Sequence, residues 1–220
     1  MENRDRGLFI TFEGGEGAGK TSQIMRLSDR LSKLGHSVTV TREPGGTPGA
    51  EIMRHVLLSG VGEQFGAEME AILFSAARHD HVNNVIQPAL EKGDIVLCDR
   101  FIDSTRVYQG GSGKVDMNFL HVLEDLACED CLPDLTLLLD MDPKEGMRRA
   151  KARRGADEKP DRFEKEALAA QEKRREGFLS VAKNETRIRI IDASGTFEAV
   201  EKRIWKDVKS VMSKKGISVR

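Results

Sequence analysis

Along the chain, short apolar runs rich in β-branched residues alternate with longer stretches whose apolar residues recur every three or four positions. The runs predict strands, and the stretches predict helices with one buried face. Residues 8–12 form the first run. Ile24, Leu27, Leu31 and Leu34 follow as a helical stripe, with Gly35 as a natural C-cap. Residues 38–41 predict a second strand. Residues 51–58 predict a short helix with Ile52, Met53, Val56 and Leu57 inward and Arg54 near the edge of that face. From 64 to 92 the pattern predicts one long helical segment, with Met69, Ile72, Leu73, Ala76, Val82, Ile86 and Leu90 inward. Pro88 is placed to kink it and Gly93 to stop it. Residues 95–98 predict a third strand, 118–131 a helix with Phe119, Val122, Leu123 and Leu126 inward, and 135–139 a fourth strand. Asp142, Pro143 and Glu145 have the cap and first-turn preferences of another helix. A charged helix continues toward Glu185, with Phe163, Ala167, Ala170, Phe178 and Val181 inward. Residues 187–191 predict a fifth strand, and Thr196 opens a last helix along Phe197, Val200, Ile204, Val208 and Val211. Strands alternating with helices predict an α/β fold with a parallel sheet covered on both faces.

Composition narrows this picture. A chain of 220 residues, 39% of them hydrophobic, suits one α/β domain over residues 1–220 with a short mobile insert. A formal net charge of −1 gives no electrostatic footprint for nucleic acid or acidic membranes. No run approaches the ~18 apolar residues of a membrane span. The first seven residues, MENRDRG, lack the apolar core of a signal peptide. Cys128 and Cys131 form a C-x-x-C pair, but a zinc site needs about four ligands and the chain has no second pair. Ordinary thiols in a reducing cytoplasm are the expectation.

The chemistry centres on FITFEGGEGAGKT, residues 9–21. Gly14, Gly19, Lys20 and Thr21 satisfy G-x-x-x-x-G-K-[ST], with a predicted strand before and a helix after. Glycines let successive N–H groups face an anion, Lys20 adds a charge for the β- and γ-phosphates, and the Thr21 hydroxyl suits Mg²⁺. Asp99, after an apolar run, matches the strand-end carboxylate that supports Mg²⁺, a common and weak pattern by itself. Arg42-Glu43-Pro44-Gly45-Gly46-Thr47 puts two charges in a defined turn at the C-terminal end of a strand, where ligands of doubly wound sheets sit. Phe74 and Arg78 share a helix face; the spacing suits stacking and hydrogen bonding to a base, and equally a surface packing pair. Thr105, Tyr108 and Gln109 precede a glycine cluster. Arg148, Arg149, Lys151, Arg153 and Arg154 crowd a helix end, where cations suit the dipole, and a breakable polar loop follows. Arginines leading into such a loop are what a phosphate-closing lid requires.

The motifs ITFEGGEGAGKT, TREPGGT, ILFSAAR, LCDRFIDST-x-x-YQG and PDLTLLLD resemble those of the bacterial-type thymidylate kinase family over essentially the whole chain. The resemblance implies a P-loop NTPase-like fold: a five-stranded parallel sheet flanked by helices, with a short Arg-rich lid at about 149–161. It implies a homodimer acting on ATP and dTMP with Mg²⁺. Gly14, Gly15, Glu16, Gly17, Ala18, Gly19, Lys20 and Thr21 would hold ATP, together with Arg149 and Arg154. Glu16 would also lie near the acceptor's sugar and phosphate. Glu43 would lie near the deoxyribose, and Arg54, Arg78 and Arg100 around dTMP. Phe74 would stack on thymine, Thr105 and Gln109 would read the base, and Tyr108 would lie by the sugar. Thr21 and Asp99 would serve the metal. Glu16, Lys20, Arg100 and Arg153 are the implied catalytic set.

Two departures stand out. Eukaryotic-type members place an arginine in the phosphate loop where this chain has Gly17. The transition-state cation is then expected from Arg149, Arg153 or Arg154. Phe101 stands where relatives often have Tyr or His. Two other readings compete: a kinase for another small phosphate acceptor, and a non-catalytic nucleotide-binding switch. A guanine-nucleotide switch needs N-K-x-D, which is absent, and the one D-x-x-G match, Asp192 to Gly195, falls after the fifth strand.

Overall fold

In a computed structural model of the chain, which describes residues 6–60, 64–111, 115–153 and 168–219, five parallel strands form one sheet. The strands are β1 (Leu8–Gly14), β2 (Val38–Arg42), β3 (Ile95–Asp99), β4 (Leu135–Asp140) and β5 (Ile188–Asp192), in the order β2-β3-β1-β4-β5. Every residue of β1 is buried, as a central strand of a two-sided sheet requires. Helix α1 (Lys20–Lys33) leads from β1 across to β2, whereas the chain after β3 crosses to β4 on the opposite side. Beyond the carboxyl ends of β1 and β3 the two connections diverge, and such a switch point is where open α/β sheets bind ligands.

Alternate residues serve opposite faces. Leu8, Ile10 and Phe12 pack with Ile24, Leu27 and Leu31 of α1 and with Val200, Ile204 and Val208 of α9 (Phe197–Lys214). Phe9, Val96 and Cys98 face the other way, against Val82, Ile86, Leu90, Phe101 and Cys128. Phe9 and Phe101 meet edge to face with ring centroids 5.0 Å apart. On the same side, Phe178 of α8 (Leu168–Asn184) packs with Val107, Leu138 and Ile188.

The expected long helix is three pieces: α3 (Gly66–His81), a π-helical turn (Val82–Ile86) and α4 (Gln87–Glu91). The Gln87 amide bonds the Val82 carbonyl, five residues back. The wider turn shifts the phase of the side chains. Val82, Ile86 and Leu90 are buried as expected, but Met69 is 42% and Ile72 is 40% exposed, and Ala76 also faces out. The buried face of α3 carries Ala71, Ser75 and Arg78 instead. Similar reversals affect α2 (Pro48–Ser59) and α6 (Met117–Cys128), where Ile52, Val122 and Leu126 point outward. These helices pack in the order α2, α3, α6, and Ala67 and Ala71 of α3 meet Phe119, Leu120 and Leu123 of α6, while Ile52, Met69, Ile72, Val122 and Leu126 remain outside.

The short α5 (Ile102–Thr105) and a second π-helical turn (Arg106–Gly110) follow β3, and α7 (Pro143–Arg153) follows β4. Asp142 caps α7 by accepting from the Lys144 and Glu145 amides at 2.9 and 3.3 Å. Thr196 caps α9 by accepting from Ala199 N.

Candidate active site

β1 ends at Gly14, and the loop that follows enters α1 with Gly14, Gly17 and Gly19 at φ of 137, 69 and 90°. Such values are open to glycine and strained for other residues. At Gly17 a side chain is also excluded by space: a Cβ would lie 1.9 Å from the Gly146 carbonyl oxygen of α7. The loop therefore has no room for an arginine at this position. Lys20 donates to the Gly14 and Gly15 carbonyls at 3.1 and 3.3 Å. Burial, with Arg100 nearby, lowers its pKa.

The Thr21 hydroxyl donates to Asp99 Oδ2 at 2.9 Å, so one hydroxyl and one carboxylate meet where the loop joins α1. These oxygen donors fit Mg²⁺. Among the described residues no cluster of three or more His, Cys, Asp or Glu could hold a metal, so the other ligands would be phosphate oxygens and water.

Arg100 follows β3 with φ 68°, a left-handed backbone uncommon for a non-glycine residue. Its amide donates to the Phe12 carbonyl at 2.9 Å. Its guanidinium donates from Nη2 to Glu16 Oε1 at 2.9 Å and from Nη1 to Ser104 Oγ at 3.1 Å. The surrounding carboxylates and the Tyr108 phenol outweigh burial and raise its pKa.

Beside this pair opens a cleft that takes in about 590 Å³, part of it open solvent. Glu16, Glu43, Arg54, Phe74, Arg78, Arg100, Thr105, Tyr108 and Gln109 all line it, as do Leu58, Phe101 and Ser104. Arg78, 3% exposed, donates from Nε to Glu43 at 2.8 Å and from Nη2 to the Thr105 hydroxyl at 3.0 Å. Arg54 donates to the Pro44 carbonyl at 2.7 Å. Gln109 donates from Nε2 to the buried Glu70 at 3.0 Å. The Tyr108 ring has the Arg100 guanidinium 5.4 Å and the Arg174 guanidinium 4.4 Å from its centroid, with Phe178 edge-on at 6.3 Å. Phe101 is fully buried against Phe9, so its missing hydroxyl leaves a packing role.

On α7, Arg149 pairs with Glu145 at 2.7 Å, and together with Arg148 it holds the Glu145 carboxyl down to about 2. The Arg153 side chain and residues 154–161 of the expected lid lie outside the described residues. The three cysteines are free and buried, and burial pushes the Cys128 thiol up to about 12, far from an activated thiolate.

Three residues of this site carry no clear sequence signal. Glu13 directly follows the first apolar run, is the one carboxylate in β1 and is fully buried. Ser104 links it to Arg100. His81, fully buried, lies between Glu43 Oε1 at 3.1 Å and Thr41 Oγ1 at 2.6 Å. Its place three positions after Arg78 on one helix was the available hint.

A phosphate loop at the end of the central strand, a hydroxyl–carboxylate pair for a metal and a basic cleft alongside define a nucleoside-monophosphate kinase of the P-loop class. The comparisons with known proteins agree and go further. A family profile described as thymidylate kinase matches residues 12–204. Thymidylate kinase from Bradyrhizobium sp. (strain ORS 278) is 54% identical over 205 residues, covering 93% of this chain and 90% of that protein. Thymidylate kinase from Bartonella henselae is 54% identical over 200 residues, covering 90% and 93%. The crystal structure of thymidylate kinase from Ehrlichia chaffeensis superposes with a TM-score of 0.72 at 32% identity, covering 92% of this chain and 99% of that one. The chain belongs to the thymidylate kinase family.

Proposed function

We propose that the protein transfers the γ-phosphoryl group of ATP to dTMP, giving ADP and dTDP for dTTP synthesis. The observation that carries this reading is the convergence of all the acceptor-side candidates, from four separate motifs and from Arg54 between two of them, on one cleft beside the phosphate loop.

The loop from Gly14 to Thr21 would hold the ATP phosphates, with Lys20 leaving its carbonyls for the β- and γ-oxygens. Thr21 and, through water, Asp99 would hold Mg²⁺, which adds positive charge at the phosphate oxygens. In the cleft, Phe74 would stack on thymine and Thr105 and Gln109 would read the base. Tyr108 and Glu43 would flank the deoxyribose, and Arg54 and Arg78 would serve dTMP. The acceptor phosphate is already anionic, so no strong base is required. What opposes reaction is the approach of two anions in line, and catalysis is alignment with charge neutralisation. Arg100, tethered to Glu16 at the junction of loop and cleft, suits the transferring group. Arg153, with Arg149 and Arg154 on the ATP side, would supply the lid cation that Gly17 cannot, in one domain with a lid at about 149–161.

A homodimer is part of this reading. The outward apolar residues of α2, α3 and α6 are the support for it: Ile52, Met69, Ile72, Val122 and Leu126 are each at least 40% exposed. Nucleotide synthesis and three free cysteines suit the cytoplasm. No described helix is long and apolar enough to cross a membrane.

Coupled ADP release measured with dTMP, dUMP, dCMP, AMP and GMP tests the proposal. Mg²⁺-dependent turnover is expected to be fastest with dTMP. Turnover of AMP or GMP equal to that of dTMP would remove the assignment.

A further inference from the structure

We propose that Glu13 is a positioning residue for phosphoryl transfer, aiming the Arg100 guanidinium through the Ser104 hydroxyl. The inference rests on Arg100 acting at the transferring group, as proposed above.

Glu13 touches neither the loop's anion-facing side nor the cleft. It is fully buried in β1, yet both its oxygens are committed to the connection that carries Arg100. Oε1 accepts from the Phe101 amide at 2.8 Å and the Ser104 amide at 3.2 Å. Oε2 accepts from Ser104 Oγ at 2.6 Å. The same Oγ accepts from Arg100 Nη1 at 3.1 Å, and the other guanidinium branch goes to Glu16 at 2.9 Å. A directional relay therefore runs from Glu13 through Ser104 to Arg100, and it holds a residue whose backbone is itself strained at φ 68°. Neutral glutamine would satisfy the two amides equally well. Only an acceptor at Oε2 orients the Ser104 hydroxyl so that its lone pairs face Arg100.

The carboxylate is also expensive for the fold. The charged and titratable groups that act on it are Asp103, Arg100 and Lys20, with the Cys98 thiol and the Tyr108 phenol. Burial and Asp103 push it up to about 7. A buried acid that weakens the fold and organises a reactive cation is a functional signature.

Two variants test this, Glu13→Gln and Ser104→Ala, assayed with whichever acceptor of the panel wild type turns over fastest, so that a wrong acceptor leaves the test standing. Each is expected to lower kcat about tenfold or more while changing KM for ATP and for the acceptor less than about threefold. The double variant is expected to be no worse than the poorer single, because both break one relay. Glu13→Gln is expected to keep or raise the melting temperature at pH 8. A kcat within about twofold of wild type in both variants would overturn the proposal. So would a Glu13→Gln protein whose melting temperature falls along with its kcat, which is the behaviour of a merely structural residue. Wild type inactive on every acceptor would overturn this inference and the proposed function together.

Discussion

Lys20 is held with its ammonium against two backbone carbonyls of the loop it serves, which presets its position before any phosphate arrives. Lys20→Ala removes that charge from the start of α1 without opening the core, so helical content should persist while kcat drops about 10²-fold or more. A circular dichroism spectrum beside a turnover assay checks both halves, and normal kcat would take Lys20 out of the mechanism. Tyr108 offers a different kind of test. Its ring is backed by Arg174 and Phe178 and faces the cleft, so it cannot retreat from an added ribose hydroxyl. Exclusion by shape of this kind is worth ~1–3 kcal/mol, or roughly 10- to 200-fold. Tyr108→Ala should therefore raise kcat/KM for the ribonucleotide relative to dTMP; a parallel loss on both substrates would mean that the ring only packs. Glu13 yields a pH dependence. Its folded-state pKa of about 7 lies above its ordinary value of 4.5. Below 4.5 both folded and unfolded chains hold the proton; between 4.5 and about 7 only the folded chain does, so stability falls as pH rises; above about 7 the loss is complete. The melting temperature of Glu13→Gln minus that of wild type should grow from pH 5 to pH 7 and then level off. A difference flat across that range would show that Glu13 ionises normally. Most cleft residues are legible in the sequence because they belong to compact motifs, at strand ends for Glu16, Glu43 and Arg100 and on one helix face for Phe74 and Arg78. Glu13 is not, because its partners Phe101 and Ser104 lie 88 and 91 positions away and give the carboxylate its meaning only once folded.

Glycine meets glycine where the phosphate loop docks on α7. A Cβ on Gly17 would strike the Gly146 carbonyl, and a Cβ on Gly146 would lie 2.4 Å from the Glu16 carbonyl oxygen. Two backbones cannot yield as a flexible side chain can. Gly146→Ala gains helix propensity of about 1 kcal/mol, yet it must push α7 off the loop. The expected result is a lower melting temperature and a KM for ATP raised several-fold; an alanine variant with both unchanged would mean that α7 moves freely there. Helices and strands themselves are largely legible. The five strands fall within two residues of the pattern, because apolar runs bounded by turns leave little choice. The inward faces of α2, α3 and α6 are not. Periodicity identifies an apolar stripe but not what the stripe faces, and in α3 the cleft draws in Phe74 and Arg78, which leaves Met69 and Ile72 on the far side. The π-helical turn after His81 has no signature in the sequence, and it separates the two halves of a stripe that reads as continuous.

That reversal of faces has a consequence for assembly. α3 carries cleft residues on one side and apolar residues in solvent on the other, with α2 and α6 extending the apolar side. Apolar side chains on three adjacent helices are the expected composition of an interface, and in the homodimer proposed above a second copy of this chain would cover them. In a two-fold dimer each residue contributes twice, so Ile72→Glu removes two isoleucines and brings two carboxylates toward the same apolar contact. Ile72 is 40% exposed in the single chain, so losing the further burial of two copies is worth about 1–2.5 kcal/mol, which corresponds to weakening the dimer by roughly 5- to 60-fold before any charge penalty is added. Ile72→Glu should therefore sediment as a monomer at concentrations where wild type sediments as a dimer. Because α3 also presents Phe74 and Arg78 to the cleft, loss of its outer packing should raise KM for dTMP more than KM for ATP. Wild type that sediments as a monomer throughout the micromolar range would reject the dimer. A monomeric Ile72→Glu protein with both KM values unchanged would keep the interface but separate it from the acceptor site.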